Sequence, residues 1–509
     1  MILNIYKKIQ QFLKRYLDIF AILFLVMNFV IWYLNEISID TSKYSIYFQL
    51  IYLLLAGLLL NINRLDFPKF VKENIFFILI FIIGLYNSTS IIMEFNGIVV
   101  DMGYRSRVLL LEAMPSFLFI LAAFKLVDKR AIIIGFNIII FIVVGYSLLA
   151  ILKQHFGLEK FLGIAISSTS TRHQSILNNP NVLGEYAFIG IFLSFFLSLI
   201  NKKFWIKIVS LLPVPILIYG IILSGSRTAL FMTLTLYLII NLYFIYYKNN
   251  SKLILIIGNI IFAIGVILVI SGVFDTYIDM IRADMSLTGR DTIWMNSLKI
   301  IDENIFRGIG YNNFTYVYNE LYNVLTSPHN MLIGVTTELG LLATILVVFW
   351  FVHIIIRNHN VIIQNKSNKL TTYLILFNVF YITYFIGQFT EYSFLKFSTL
   401  NTLFLVLQGF NHNVLSEFKN KQYNSMYNYM RLVIVLIVYL AIYNQTVQTE
   451  TLFYYYMLIG LVIYAIVYMI IDFIVKVFID KSIKIPFIKN SDKLSEKTNL
   501  ILGDESWIF

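Results

Sequence analysis

Apolar runs of the length that crosses a bilayer, about 20 residues, follow one another along most of this chain. They fall near 17–35, 46–62, 74–93, 107–124, 131–152, 181–200, 208–223, 228–247, 253–271, 331–356, 371–389, 394–410, 432–446 and 453–475. The pattern predicts an all-α polytopic membrane protein with about 12–14 transmembrane helices. No small-residue cleavage site follows the first run, which reads as a signal anchor. Most polar breaks between runs are short, but 272–330 is long. Within it, TIWMNSLKII (292–301) predicts a helix with Trp294 and Leu298 on an apolar face, suited to lie at the membrane interface. A second polar segment, 153–180, carries Arg172 and His173. These breaks divide the chain into a twelve-span core over 1–410, two further spans over 411–475 and a polar tail over 476–509.

Composition excludes most other classes. The chain is 59% hydrophobic and 13% charged, more apolar surface than a soluble domain can bury. It has no cysteine, which removes disulfides, zinc–thiolate sites and thiol nucleophiles. The net charge of +11 invites a nucleic-acid reading, but its placement argues against one. Most basic residues stand in short segments between apolar runs, as in loops held at an anionic cytoplasmic leaflet. Lys7, Lys8, Lys14 and Arg15, then Lys125, Lys129 and Arg130, then Lys202, Lys203 and Lys207 set the pattern, and the tail continues it. Both termini are therefore expected inside and 272–330 outside. The richness in Ile, Asn, Lys, Tyr and Phe suggests an AT-rich bacterial genome.

The basic residues left outside are rich in arginine: Arg105, Arg107, Arg172, Arg227, Arg282, Arg290 and Arg307. Lysine suffices to anchor a loop at lipid, whereas arginine grips phosphate or carboxylate at two points. Three runs also begin, on the same side, with helix-start signals. Asn179 precedes Pro180 with Asn181 next; Ser224 or Ser226 precedes Arg227; Ser327 and Pro328 precede His329 and Asn330. Helix starts favour an anion. A cation inside a span costs about 2.5–3.5 kcal/mol at mid-bilayer. Arg227 either offsets that cost by reaching the interface or pairing with Glu185 or Glu112, or it clamps a phosphate. His329 is either a loop histidine bonded to backbone or a general base. Glu112, Glu185, Glu338 and Glu391 are acidic residues near the same ends of their runs, candidates by default. No metal-ligand spacing appears among the outer residues, so arginine is expected to neutralise the anion, with no metal and no cofactor.

Four stretches together resemble the O-antigen ligase/polymerase superfamily (Wzy/WaaL-like membrane glycosyltransferases). They are RHQSILNNPNVLG (172–184), SGSRTAL (224–230), GRDTIWMNSLKIIDENIFRGIGYNNF (289–314) and SPHNMLIGVTTELGLLA (327–343). The resemblance covers roughly 170–345, with departures at Ser175, where the family often has glycine, and Leu177, where it often has an aromatic residue. It implies a GT-C-like architecture in the cytoplasmic membrane of a bacterium, with the active site outside. The implied donor is a glycan on undecaprenyl pyrophosphate. The implied acceptor is another lipid-linked repeat unit for a capsular or exopolysaccharide polymerase, or a terminal acceptor for a ligase. On that footing His329 is the base, and Arg227 and Arg290 hold the pyrophosphate with help from Arg172. Asn181 and Tyr311 join the substrate contacts, and Asn330 and Glu338 orient the His329 region. A chain-length regulator and a flippase are the expected protein partners. A transporter for a lipid-linked or anionic solute is the competing class, but it would carry its charges nearer the midplane.

Overall fold

The computed structural model describes residues 2–36, 51–247 apart from 56, 59–60, 62–63, 96, 169–171 and 178, then 260, 289–366 and 368–418. These lie in one compact unit, Met1–Phe418. The runs expected at 253–271, 432–446 and 453–475, the stretch 272–288 with Arg282, and the tail 476–509 fall outside the described residues. The described part is almost wholly helical. Five of its helices are long and apolar enough to cross a membrane, or six if one bent pair counts as a single span. The chain is a multi-pass membrane protein.

Several helix starts are set by side-chain caps. Helix α1 (Ile2–Glu36) is followed by α2 (Phe67–Glu73), capped by Asp66, and α3 (Ile75–Asn87), which meets α2 at a 73° bend. Asp101 starts α4 (Met102–Leu126) by accepting from the Tyr104 N–H at 2.8 Å, and Asp128 starts α5 (Lys129–Phe156). Asn179 and Pro180 start α6 (Pro180–Ile200). Helices α7 (Phe204–Leu211) and α8 (Pro213–Ser224) together have the length of one span, and α9 (Arg227–Tyr247) returns. The side chains of α6 are buried nearly all round, and α5, α8 and α9 pack against it. A helix apolar on every face belongs at the centre of a bundle.

The long polar segment holds α10 (Arg290–Asn304) and α11 (Phe314–Tyr322), then α12 (Met331–Leu339) and α13 (Leu341–Gln364); α14 (Thr371–Gly387) and α15 (Thr399–Ser416) complete the unit. Three expectations are corrected here. The apolar run 331–356 is not one span but breaks at Gly340, whose φ is +86°. The preceding segment is stitched into the break by backbone bonds: Ile309 N–H to Thr337 O at 2.8 Å, Gly310 N–H to Glu338 O at 2.9 Å and Leu341 N–H to Ile305 O at 2.8 Å. The run 394–410 starts as a helix only at Thr399, because 388–398 is a loop. And α10 does not simply float at the interface. Its Ser297, Ile300 and Ile301 are buried, and Ile300 joins Ile91, Phe95, Met102, Ile309, Phe314, Val317 and Tyr318 in a small apolar core. That core ties α10 and α11 to the hairpin β1 (Met93–Phe95) and β2 (Ile98–Val100), forming a cap.

Two further hairpins, β3 (Lys160–Phe161) with β4 (Ile164–Ala165) and β5 (Ser167–Ser168) with β6 (His173–Ser175), fill the α5–α6 connection. The cap, these hairpins, the α8–α9 turn and the loop 388–398 all gather at one end of the bundle. At the other end a buried carboxylate, Glu73, meets Lys125 at 2.7 Å, Arg357 at 3.2 Å and His412 at 3.2 Å.

Candidate functional site

The first group at the site end is an arginine corner. Gly225, at φ +58°, closes α8 and lets the chain turn at once into α9. Ser226 caps α9 by accepting from the Ala229 N–H at 3.4 Å, so Arg227 is its first residue and is exposed. Arg172 leans across this turn from the strand side. Its Nε donates to Ser224 O at 2.8 Å and its Nη2 to Asn181 Oδ1 at 2.5 Å. A single guanidinium thus joins the hairpin, the end of α8 and the first turn of α6. Arg172 lies against Gly225, two residues before Arg227: a Cβ there would be 3.1 Å from Arg172 Nε. Burial, and next the Arg227 charge, lower the pKa of Arg172. Two helix starts and two guanidinium groups so converge, an arrangement that attracts an anion.

The second group surrounds His329. Helix α12 is capped not by Ser327 but by Asn330, whose Oδ1 accepts from the Ile333 N–H at 3.1 Å. The Ser-Pro pair misleads because the chain makes one more turn before the helix. His329 sits in that turn at φ +49°, in the left-handed region, just ahead of the helix. The Trp294 indole N–H donates to Pro328 O at 2.9 Å and so braces the turn from α10. His329 Nδ1 is buried, makes no hydrogen bond, and has Glu391 Oε1 at 3.4 Å.

Glu391, one of the candidate acidic residues, belongs to the loop 388–398, of which 394–398 reads in the sequence as the start of a span. This loop collects the site. Met331 N–H donates to Gln388 O at 2.7 Å, Asn330 Nδ2 to Phe389 O at 3.2 Å and Arg290 Nη1 to Thr390 O at 2.7 Å. Within the loop, Gln388 accepts from the N–H groups of Ser393 and Phe394, each at 3.0 Å. Arg290, the first residue of α10, is thus held at the loop. The corner is nevertheless at the same level. Gly387, which ends α14, abuts Met232 of α9, and Arg227 lies five residues, about 7.5 Å, further toward the site end.

Glu338 is drawn away from His329. It is buried on α12, accepts from Lys396 Nζ at 2.8 Å on each oxygen, and accepts from the Tyr392 hydroxyl at 3.0 Å. Burial pushes the Lys396 ammonium down, and the Glu338 carboxylate pulls it back. Burial and the same carboxylate hold the Tyr392 phenol well above its usual range. Lys396 also reaches Asn312 Oδ1 at 3.0 Å and lies over the Tyr311 ring. Tyr311 is buried, and its hydroxyl donates to Leu395 O. Glu338 holds the loop that carries Glu391 to His329, and Asn330 stands directly next to the histidine. Lys396, Tyr392 and the pairing of Glu391 went unread in the sequence. The available signal was two charged residues, Glu391 between the expected runs 371–389 and 394–410 and Lys396 inside the second.

Of the remaining acidic residues, Glu185 accepts from the Leu400 N–H at 3.1 Å at the start of α15, and Glu112 is exposed on α4. Of the other arginines, Arg107 donates to Ser88 O at 2.6 Å and meets Asp101, while Arg105 lies over the Tyr316 ring. Among the described residues, no three His, Asp or Glu side chains gather to hold a metal ion.

No curated protein matches the chain. A family profile described as O-antigen ligase does match residues 212–348. That segment runs from the start of α8 into α13 and contains Arg227, Arg290, Tyr311, His329, Asn330 and Glu338, while Arg172, Asn181 and the loop 388–398 lie beyond it. The match over this stretch, on a multi-pass helical bundle, supports the resemblance of that segment to the O-antigen ligase/polymerase superfamily.

Proposed function

We propose that the protein is a polysaccharide polymerase working at the outer face of a bacterial cytoplasmic membrane. It moves a glycan from undecaprenyl pyrophosphate onto a hydroxyl of the next lipid-linked repeat unit. The observation that carries this reading is the convergence, at one end of the bundle, of the arginine corner and the His329 turn. The first suits a pyrophosphate and the second a hydroxyl.

In the reaction the acceptor oxygen attacks the anomeric carbon, the bond from that carbon to the pyrophosphate oxygen breaks, and the pyrophosphate leaves with the electron pair. The acceptor proton passes to His329. Direct attack inverts the anomeric centre. Arg227 and Arg172, aided by the starts of α6 and α9, stabilise the departing charge. Pyrophosphate is already a good leaving group, so positioning, a base and charge stabilisation are the work required. Neutralisation by arginine makes a metal ion unnecessary in this scheme. A flippase would supply the lipid-linked units and a chain-length regulator would act on the same growing chain.

The test is purified protein with a lipid-linked oligosaccharide as sole substrate. A polymerase gives a ladder of repeat-unit multiples. A ligase gives transfer only after a terminal acceptor is added. Failure to make any glycosidic bond with either acceptor, alongside uptake of the lipid-linked solute into vesicles, would replace both with the transporter reading.

A further inference from the structure

Resting on the reading of His329 as the base, we infer that Glu391 is its positioning residue. It fixes the proton on Nδ1 and so leaves Nε2 as the nitrogen that accepts from the substrate hydroxyl. Four observations converge on this pair.

The His329 backbone is held at φ +49°, a conformation unfavourable for a non-glycine residue and retained only where surrounding structure imposes it. What imposes it is visible: Trp294 bonds Pro328 on one side, and Asn330 caps α12 and bonds the loop on the other. The ring direction is therefore set. Nδ1 points into the protein, where it is buried and makes no hydrogen bond, with the Glu391 carboxylate 3.4 Å away. A buried ring nitrogen facing a carboxylate is the one that carries the proton. A quarter of the side chain stays exposed, which leaves Nε2 as the nitrogen within reach of a substrate.

Glu391 is itself held. Its N–H donates to Gly387 O at 3.2 Å, the Arg290 guanidinium grips the carbonyl of the preceding residue, and the following residue, Tyr392, is anchored on the Glu338–Lys396 pair. The carboxylate is thus delivered by a braced loop, as a positioning group should be. When Nε2 accepts the hydroxyl proton, the imidazolium that forms gains an adjacent negative charge. The pair then becomes an ion pair, with no further proton moved.

The test combines kinetics with a readout of the ring. In Glu391→Gln the side chain keeps its size and loses its charge. We expect kcat to fall on the order of 10²-fold with KM within about threefold, because the anion contacts are untouched. The double variant His329→Gln/Glu391→Gln should be no slower than His329→Gln alone, since a group acting through histidine has nothing left to act on. Nitrogen-15 spectra of histidine-labelled protein, with His329→Gln assigning the signal, should show wild-type His329 protonated at Nδ1 and a tautomer mixture in Glu391→Gln. That spectrum is read without turnover, so it separates this inference from the reaction scheme. Wild-type rate in Glu391→Gln, multiplying losses in the double variant, or an unchanged tautomer would each overturn the role of Glu391. If instead His329→Gln turns over normally while the spectrum behaves as expected, the assignment of the base is wrong and the pairing stands.

Discussion

Positive φ singles out two residues that matter in different ways. At His329 the strain accompanies the chemical role proposed above. At Ser175, with φ +58°, no such role is evident: its hydroxyl is buried and makes no hydrogen bond. Glycine adopts this region freely, so Ser175→Gly is expected to stabilise the protein by about 1 kcal/mol. A thermal shift of a few degrees upward in detergent would show it, and a downward shift would mean the serine does something unseen. The departure from glycine at this position was legible in the sequence, but its meaning needed the backbone angle. Arg227 poses a second question at this scale. Lysine keeps the charge at the start of α9 but loses the planar two-point grip. Arg227→Lys should lose activity about tenfold or more at normal protein levels. Near-normal product from that variant would reduce Arg227 to a cation that merely reaches the interface.

At the scale of elements, caps and span-length runs were readable because they depend on local chemistry. Asn179 and Ser226 act where they were expected, and Asp101 and Asp128, not singled out in the sequence, follow the same rule of a short polar side chain before an apolar run. The break in 331–356 was not readable, because nothing local forces it. Glycine at 340 permits it, and backbone bonds from residues distant in sequence hold it open. The loop 388–398 escaped notice for the same kind of reason. Tyr392, Phe394 and Leu395 are buried although the segment makes no helix, so its packing follows neither the helical nor the strand period. A Cβ on Gly340 would lie 2.2 Å from Phe306 O, whereas one on Gly157, at a similar φ of +66°, would meet nothing within 4 Å. Gly157→Ala should therefore cost only about 1 kcal/mol, its backbone strain. Gly340→Ala should cost several times more and abolish activity, since it pushes the 305–310 segment out of the break. Comparable melting temperatures for the two variants would mean the stitching is slack.

For the whole molecule, the partition of lysines and arginines led to an orientation, and that orientation is open to a direct check. Asn323 would be a natural reporter but sits at φ +53°, so Leu325, which is 79% exposed, is the better site. In this cysteine-free chain, Leu325→Cys should react with an impermeant thiol reagent in intact cells, and Lys203→Cys only after lysis. The reverse pattern would invert the topology and with it the proposed external reaction. Charge neutralisation by arginine further predicts that turnover survives EDTA; loss restored by magnesium would mean that carboxylates, not guanidinium groups, hold the donor. The stitched break also bears on how the protein is made. Residues 305–310 leave the ribosome before Met331, yet their partners are Thr337, Glu338 and Leu341. Until 305–310 docks on them, 331–356 is an apolar segment long enough to be inserted across the bilayer unbroken. The half-helix carrying Glu338, and the turn before it carrying His329, reach their places only when the cap docks. Catalytic competence is thus acquired late in biogenesis. A lesion in the cap's apolar core, such as Val317→Ala, would yield chains that are inserted, full-length and silent.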